Sequence, residues 1–422
     1  MAAPYFLAVD VGTSRTAAAT ARIRDDGTIS TASFPLGRHS DSAPSVVFVG
    51  EGELLFGDAA ARRGIAHPER VLREFTRRIG DDVPILAGDR QLLPEQLYAQ
   101  TVAWAVENVI EREGQPPLAV SVTVPASWTE FRIGLVRSAI AREGWSDISV
   151  IAEPVAAARH YEAEWPLPPG RLIAVFDLGG GTFDTAVLRK DETDEIVVLG
   201  EPGGMDAFGG SDFDDIVVRH VLAAAGRSAR DLRGGAAERV ALAALRRECV
   251  EAKEALSFDS ETVIPVLLAD GYATVRLTRS EFEGMIEAGI ATAIDLMADA
   301  FDSTSVDVAD VEAILLTGGS SRIPRVAQLL SERFDRPVAV DADPKAIIAL
   351  GAARVAADSA RRARVVDAEE DAEEELPEPG SATSRPPRRR RWFGRGMATA
   401  STTAPRIPVH LSDRPLSIPE PL

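Results

Sequence analysis

Two apolar runs meet at three consecutive glycines in Leu172-Ile-Ala-Val-Phe-Asp177-Leu-Gly179-Gly180-Gly181-Thr182-Phe-Asp184-Thr-Ala-Val-Leu188, a pattern that predicts a strand, a tight turn and a returning strand. The N-terminus repeats it. Tyr5 to Val11 is apolar apart from Asp10, Gly12-Thr13-Ser14 follows, and the apolar-rich stretch from Thr16 to Ile23 returns. Alternation from Ser45 to Val49 predicts another strand closed by the Gly50-Glu51-Gly52 turn, and residues 57–79 are expected to be helical. Gln96 to Glu113 reads as an amphipathic helix ended by Gly114-Gln115-Pro116-Pro117. A strand from Leu118 to Val124, a helix to Gly144 and a short strand come next, and Pro154 suits the first turn of the following helix. Phe208-Gly209-Gly210-Ser211-Asp212 starts a further helix with Ser211 or Asp212 as candidate caps. The chain is then largely helical to about residue 301, with a long helix from Ala236 to Leu256 and a hairpin from Val263 to Leu277 around Asp270-Gly271. Val311 to Thr317 is a core strand that runs into Gly318-Gly319-Ser320-Ser321-Arg322-Ile323-Pro324.

The glycine turns carry the first chemical expectation. Without Cβ atoms their backbone N–H groups can converge on an anion, most naturally a phosphate. Asp177 and Asp184 flank one turn, and carboxylates beside a phosphate make sense with a hard cation such as Mg²⁺ between them. Thr182 adds a hydroxyl at the rim, and Glu153 projects from a strand-to-helix junction where a cation would be needed. An ordinary hairpin with a flexible loop would show the same local pattern at either turn taken alone. Two such turns suggest a duplicated architecture with a nucleotide in the cleft between halves. In the third loop Gly318 and Gly319 allow close approach to a flat ring, and Arg322 could stack on its face, adenine being the natural candidate.

Composition narrows the classes. The chain has 422 residues, enough for two lobes and an appendage, and is 45% hydrophobic. A formal charge of −19 argues against general nucleic-acid binding. The single cysteine, Cys249, excludes an internal disulfide and a cysteine-rich zinc site, and is expected inside a helix. No signal-like leader and no long apolar run is found, so the expectation is a soluble, cytoplasmic protein.

In their order and spacing these motifs resemble the nucleotide-binding domain of the DnaK-type seventy-kilodalton heat-shock chaperones. They are Asp10-x-Gly12-Thr13, Val124-Pro125-Ala126, Glu153-Pro154-x-Ala156-Ala157-Ala158, Asp177 to Asp184, Gly209-Gly210-x-Asp212-Phe213-Asp214 and Gly318 to Pro324. The resemblance covers about residues 5–357 and implies an α/β fold, the duplicated actin-like ATPase (ribonuclease H-like) fold, with two lobes around a nucleotide cleft. Lobe I would span 1–170 with an insertion at about 39–113, and lobe II 171–358 with a mainly helical insertion at about 208–300. It implies ATP or ADP with Mg²⁺ as cofactors. Asp10 and Asp177 would hold the metal through water, with Glu153 and Asp184 positioning the water shell and the attacking water. Gly12, Thr13, Ser14, Gly179, Gly180, Gly181 and Thr182 would lie at the phosphates. Gly209, Gly210, Lys253, Ser257, Gly318, Gly319, Ser320 and Arg322 would surround the rest of the nucleotide. A client and an exchange factor are the partners implied, with no nucleic acid.

Three departures from the family bear on activity. Thr76 stands where the family has a lysine that reaches the γ-phosphate, and with three lysines against 43 arginines in the chain, Arg15 and Arg77 are the candidate substitutes. Glu254 and Val250 replace a basic residue near adenine and a glutamate near ribose. No peptide-binding half is recognisable after residue 357. Instead residues 359–422 read as a disordered tail, acidic from Asp367 to Glu375 and then rich in arginine and proline. Within it Arg388-Arg389-Arg390-Arg391-Trp392-Phe393-Gly394-Arg395 could touch an anionic membrane or an acidic partner weakly. The expected function is an ATP-binding, chaperone-like switch with slow hydrolysis. The alternative is a nucleotide-sensing interaction module with negligible ATPase activity.

Overall fold

In the computed structural model of the chain, which describes residues 3–88, 90–227, 235–268, 271–340 and 346–374, one strand arrangement is built twice. In the first half β1 (Phe6–Val11), β2 (Arg15–Ile23) and β3 (Ile29–Phe34) form an antiparallel meander, and β4 (Ser42–Pro44) pairs with the start of β2. Next come β5 (Val47–Val49), β6 (Leu54–Phe56), α1 (Gly57–Arg63) and β7 (Val71–Leu72), the three strands making a small sheet of their own. A short hairpin of β8 (Ile85–Ala87) and β9 (Arg90–Leu92) precedes α2 (Pro94–Glu113). Pro94 suits the first turn of α2, and Gly114 ends it in the left-handed region at φ 72°. Then β10 (Ala119–Val124), α3 (Glu130–Arg142), β11 (Ile148–Ala152) and α4 (Glu153–Glu164) follow. Both β10 and β11 are parallel additions, giving the order β11-β10-β1-β2-β3.

The second half repeats this order. It starts with the meander β12 (Leu172–Leu178), β13 (Phe183–Lys190) and β14 (Ile196–Met205), then α5 (Gly210–Ala224) and α6 (Ala236–Ala255). The hairpin β15 (Glu261–Leu268) and β16 (Gly271–Thr278) leads into α7 (Arg279–Asp302), whose Thr278 and Glu281 cap each other's backbone N–H. The chain closes with β17 (Val311–Thr317), α8 (Pro324–Phe334), β18 (Val338–Val340) and α9 (Ile347–Glu374). The sheet order is β14-β13-β12-β17-β18, with β17 and β18 parallel to β12, matching the first half strand for strand.

Each half has its own core, and a third joins them. In the second half Phe176, Phe183, Phe213 and Phe282 pack with Cys249, whose thiol is pushed up to about 12 by burial. The first is built on Leu7, Val9, Phe75, Leu97 and Ile140. The joining core brings Ala8 and Ala19 together with Ala156–Ala158, Ile173, Leu188, Leu315, Ala352 and Ala353. Its small residues let α9 lie directly on α4: a Cβ at Gly351 would run into the backbone of Ala156.

Three expectations need correction. Residues 57–79 are not one helix: α1 stops at Arg63, single 3₁₀ turns cover Pro68–Arg70 and Phe75–Arg78, and β7 lies between them. Pro68 and the left-handed Glu74 (φ 55°) break the helical path. Neither Ser211 nor Asp212 caps α5; Gly209 occupies the cap position with no side-chain bond. Residues 359–374 are helical, as the continuation of α9, rather than tail. The described chain up to Glu370 forms one compact unit. Asp270, residues 375–422 and with them the Arg388–Arg395 patch lie outside the described residues. Among the described residues no helix is long and apolar enough to cross a membrane.

Because Gly351 has no room for a side chain against α4, Gly351→Val is expected to lower unfolding stability by about 3 kcal/mol, by analogy with overpacked cores. Urea unfolding measures it. An unchanged midpoint would show that the helices separate without loss.

Candidate functional site

The two glycine turns are closed in the same way. Gly12 N–H donates to the Arg15 carbonyl (3.0 Å), and Gly179 N–H donates to the Thr182 carbonyl (3.0 Å). The turns face each other across the cleft so closely that a Cβ at Gly180 would strike the Ser14 side chain, and one at Gly181 would strike Thr13. The start of α5 then fixes the second turn from behind. Gly210 and Ser211 N–H groups donate to the Gly179 and Gly180 carbonyls (3.0 and 2.6 Å), and Ser320 Oγ also donates to Gly179 O (2.9 Å). With these carbonyls engaged on the far side and Gly179 N–H closing the turn, the Gly180 N–H is left for the cleft.

Four carboxylates converge at the floor. Asp10 ends β1, Glu153 opens α4, and Asp177 and Asp184 are directly opposed across the β12–β13 pair. Thr123 Oγ1 donates to Asp10 (2.7 Å), and Ser127 Oγ donates to Asp184 (2.6 Å). Asp184 is buried, whereas the surface left to Asp10, Glu153 and Asp177 faces the cavity. Removal from water is the main reason all four hold protons more tightly than usual. Asp10 is pushed up to about 6, and Asp177 to about 7 by burial and then by the charge of Asp10. Asp184 is pushed up to about 8, and Glu153 well above its ordinary value by burial and by the charges of Asp10, Asp177 and Asp184. Such a group of mutually repelling acids fits a divalent cation, whose charge would let them ionise. Among the described residues no three His, Cys, Asp or Glu side chains are grouped closely enough to hold a metal ion directly.

The floor and turns open into a cavity of about 1200 Å³. Asp10, Gly12, Thr13, Ser14, Glu153, Asp177, Gly179, Gly180 and Thr182 line it, as do Gly210, Lys253, Ser257, Gly318, Gly319 and Ser320. Gly318, at φ 79°, is the one position in this loop that requires glycine, since a Cβ there would meet Asp177 and Leu178. Gly181, Asp184, Gly209 and Arg322 do not line the cavity; Gly181 and Gly209 pack against neighbouring backbone and side chains, and Asp184 lies behind the floor. Lys253 Nζ is occupied by Asp214 (2.8 Å) and the Gly210 carbonyl (3.0 Å).

Thr76, Arg77 and Arg15, singled out in the sequence, and the Arg132–Asp206 contact, which has no local sequence signal, surround this site. Thr76 is buried and donates to Thr13 Oγ1 (3.1 Å), so it supports a residue of the first turn. Arg77 reaches across the cleft from lobe I. It bonds Asp212 (3.1 and 3.2 Å), the Asp206 carbonyl (3.1 Å) and Glu74 of its own turn (2.9 Å). Arg132 on α3 makes a second crossing, bidentate to Asp206 (3.0 and 2.8 Å). Arg15 turns away to Ser42, with Nε 2.6 Å from its Oγ.

Duplicated hairpins, a shared acidic floor and a glycine-lined cleft define a two-lobed nucleotide-binding fold. The sequence model of the Hsp70 protein family matches residues 81–367, and the chain belongs to that family. Its members share the actin-like ATPase fold, bind ATP and ADP with Mg²⁺ and work as chaperones with co-chaperones. Glu153, the second glycine turn, Lys253 and the Gly318 loop fall inside the matched range, whereas Asp10, the first turn and Thr76 precede it.

In metal-free protein the raised folded-state value of Asp184 predicts a pH dependence. Stability from its protonated form is complete below the unfolded value of about 4 and is lost as pH rises through about 8. Asp184→Asn should therefore gain stability relative to wild type as pH goes from 5 to 9, read as a growing difference in Tm with chelator present. A pH-independent difference would show that Asp184 is not held protonated.

Proposed function

We propose that the chain is an adenine-nucleotide switch that binds ATP and ADP with Mg²⁺, hydrolyses ATP slowly, and opens and closes its two lobes with the nucleotide state. The observation that carries this reading is the meeting of two glycine turns over the carboxylates of Asp10, Glu153 and Asp177 in one cavity, with Asp184 behind them. Asp10 and Asp177 would hold the cation through water. Glu153 and Asp184 would orient the water shell and the attacking water, Glu153 taking part through its carboxyl oxygens. The cation would supply charge neutralisation at the phosphate oxygens. The N–H groups of Thr13 and Gly180, with the hydroxyls of Ser14 and Thr182, would receive the phosphates, while Gly12, Gly179 and Gly181 would shape the turns that hold them. Lys253, Ser257, Gly318 and Gly319 would border the adenosine. Arg77 and Arg132 support a closed state, since opening would separate both from Asp206 and Asp212.

Slow turnover is inferred from Thr76. A neutral hydroxyl bound to Thr13 lies where the family has a cation, and Arg77 is engaged by two carboxylates. The same observation favours a second reading, a nucleotide-sensing module with negligible hydrolysis. An exchange factor, and a contact of the Arg388–Arg395 patch with an anionic membrane or acidic partner, remain proposals on the family resemblance and the charge pattern.

Calorimetry should show saturable ATP and ADP binding that needs Mg²⁺; no binding at millimolar nucleotide would remove the reading. Asp177→Asn should keep the fold and lower hydrolysis by roughly 10²-fold or more.

Single-turnover hydrolysis separates the two explanations of turnover. Thr76→Lys is expected to raise the rate about tenfold or more, because a cation near the γ-phosphate stabilises the developing charge. Rapid wild-type turnover that collapses in Arg77→Ala would instead make Arg77 the missing cation. Turnover indistinguishable from buffer in wild type and Thr76→Lys, with ATP still bound, would favour the sensing module.

A further inference from the structure

The cleft above the phosphate turns carries charge that the proposed function does not use. Arg246, Val250, Lys253 and Ser257 are spaced four, three and four residues apart, so they share one stripe of α6 and its C-terminal turn, and all four line the cavity. At 1.5 Å per residue Arg246 stands about 10 Å along the helix from Lys253. Arg73, just after β7, lines the same cavity from the opposite lobe. Above them the turn Pro68–Arg70 touches α6, which roofs the space.

Both arginines line the cavity, and the charge of Arg246 reaches Arg73. Arg73 holds its proton less tightly than usual because of burial and then the charge of Arg246, with Glu74 opposing in part. Yet Glu74 is already paired with Arg77 (2.9 Å). Asp215 takes Arg246 (2.6 Å), while among the described residues Arg73 forms no hydrogen bond or ion pair. A chain with a net charge of −19 thus places two exposed like charges at the opening of a cavity that exceeds the usual 300–1,000 Å³ of a ligand pocket.

We infer that Arg73 and Arg246 form a second anion subsite, which takes a phosphate group either carried on the ribose of an adenine nucleotide or arriving as free phosphate. Position selects the ribose. The 5′-phosphates go to the glycine turns, and the α6 stripe leads from Lys253 past Val250, an apolar side chain with no acceptor for a sugar hydroxyl, to Arg246. A phosphate dianion has oxygens enough for two guanidinium forks approaching from opposite sides, and it removes the repulsion between them. The ribose-linked source rests on the adenine-nucleotide reading above; the free-phosphate source does not.

Calorimetry on the full chain would compare ADP, ADP bearing a 2′- or 3′-phosphate, inorganic phosphate, and ADP with inorganic phosphate added. Wild type would be set beside Arg73→Ala and Arg246→Ala. The ribose phosphate is expected to tighten binding about tenfold or more, the worth of one charge-assisted contact. That gain should vanish in both variants, while their affinity for plain ADP stays within about twofold, which also controls for folding. Tightening by inorganic phosphate, with the ribose phosphates no better than ADP, assigns the subsite to the free anion. Equal affinity throughout in wild type, or a gain that survives both substitutions, overturns it. Should ADP fail to bind, the nucleotide reading falls, and phosphate alone decides: binding lost in both variants sustains the subsite, and no binding ends it.

Discussion

Asp10, Glu153, Asp177 and Asp184 are brought from the ends of strands in both halves to one floor, and this concentration of acid sets the conditions for everything above it. Left alone, the four carboxyls repel one another and retain protons near neutrality, the reverse of what an exposed carboxylate does. A phosphate cannot approach such a floor without countercharge. The protein answers with backbone dipoles: the second turn's Gly179 and Gly180 carbonyls are tied back to the start of α5, and the first turn's Ser14 carbonyl accepts from Ser45 N–H. Lysine contributes little here, because Lys253 is spent on Asp214.

The arginines do the work of joining the lobes. Arg77 touches the second turn with its aliphatic stem, where its Cδ would be 2.9 Å from a Cβ on Gly181, while its guanidinium holds Asp212 in the first turn of α5. The same helix start supplies the bonds that hold the phosphate turn's carbonyls. Any displacement of the turn is therefore felt at the interlobe ion pairs through one short piece of backbone. Arg132 adds a bidentate contact from α3, so the two halves are tied at Asp206, between β14 and α5, and at Asp212 in the first turn of α5.

What could be read in the sequence was what is local. Asp177 through Asp184 announces its hairpin because strand, glycines and acids are contiguous, and the shorter Asp10 turn was legible by likeness to it. The segment from 57 to 79 misled because its helix-favouring residues are interrupted by features that act on the backbone one at a time, Pro68 and the left-handed Glu74. The Asp367–Glu374 acids suggested a tail, yet Ala, Arg and Glu are good helix formers and continue α9 once it is nucleated on the core. Arg132 and Asp206 lie 74 residues apart and meet only because two halves fold against each other. Arg322, which suggested a stacking partner by residue type, sits outside the cavity, since its loop turns Ser320 inward instead.

The contact of α9 on α4 has a further mechanical meaning. Where large side chains interlock, two helices can move past each other only by jumping from one groove to the next, and such joints have discrete stops. At Gly351 and Ala156 there are almost no ridges to engage, because backbone rests against backbone. A contact of that kind puts no side-chain knob into a hole, so it supplies few steric stops. The posture of the two halves is then braced from the far side of the cleft, where Arg77 and Arg132 supply polar contacts remote from this backbone contact.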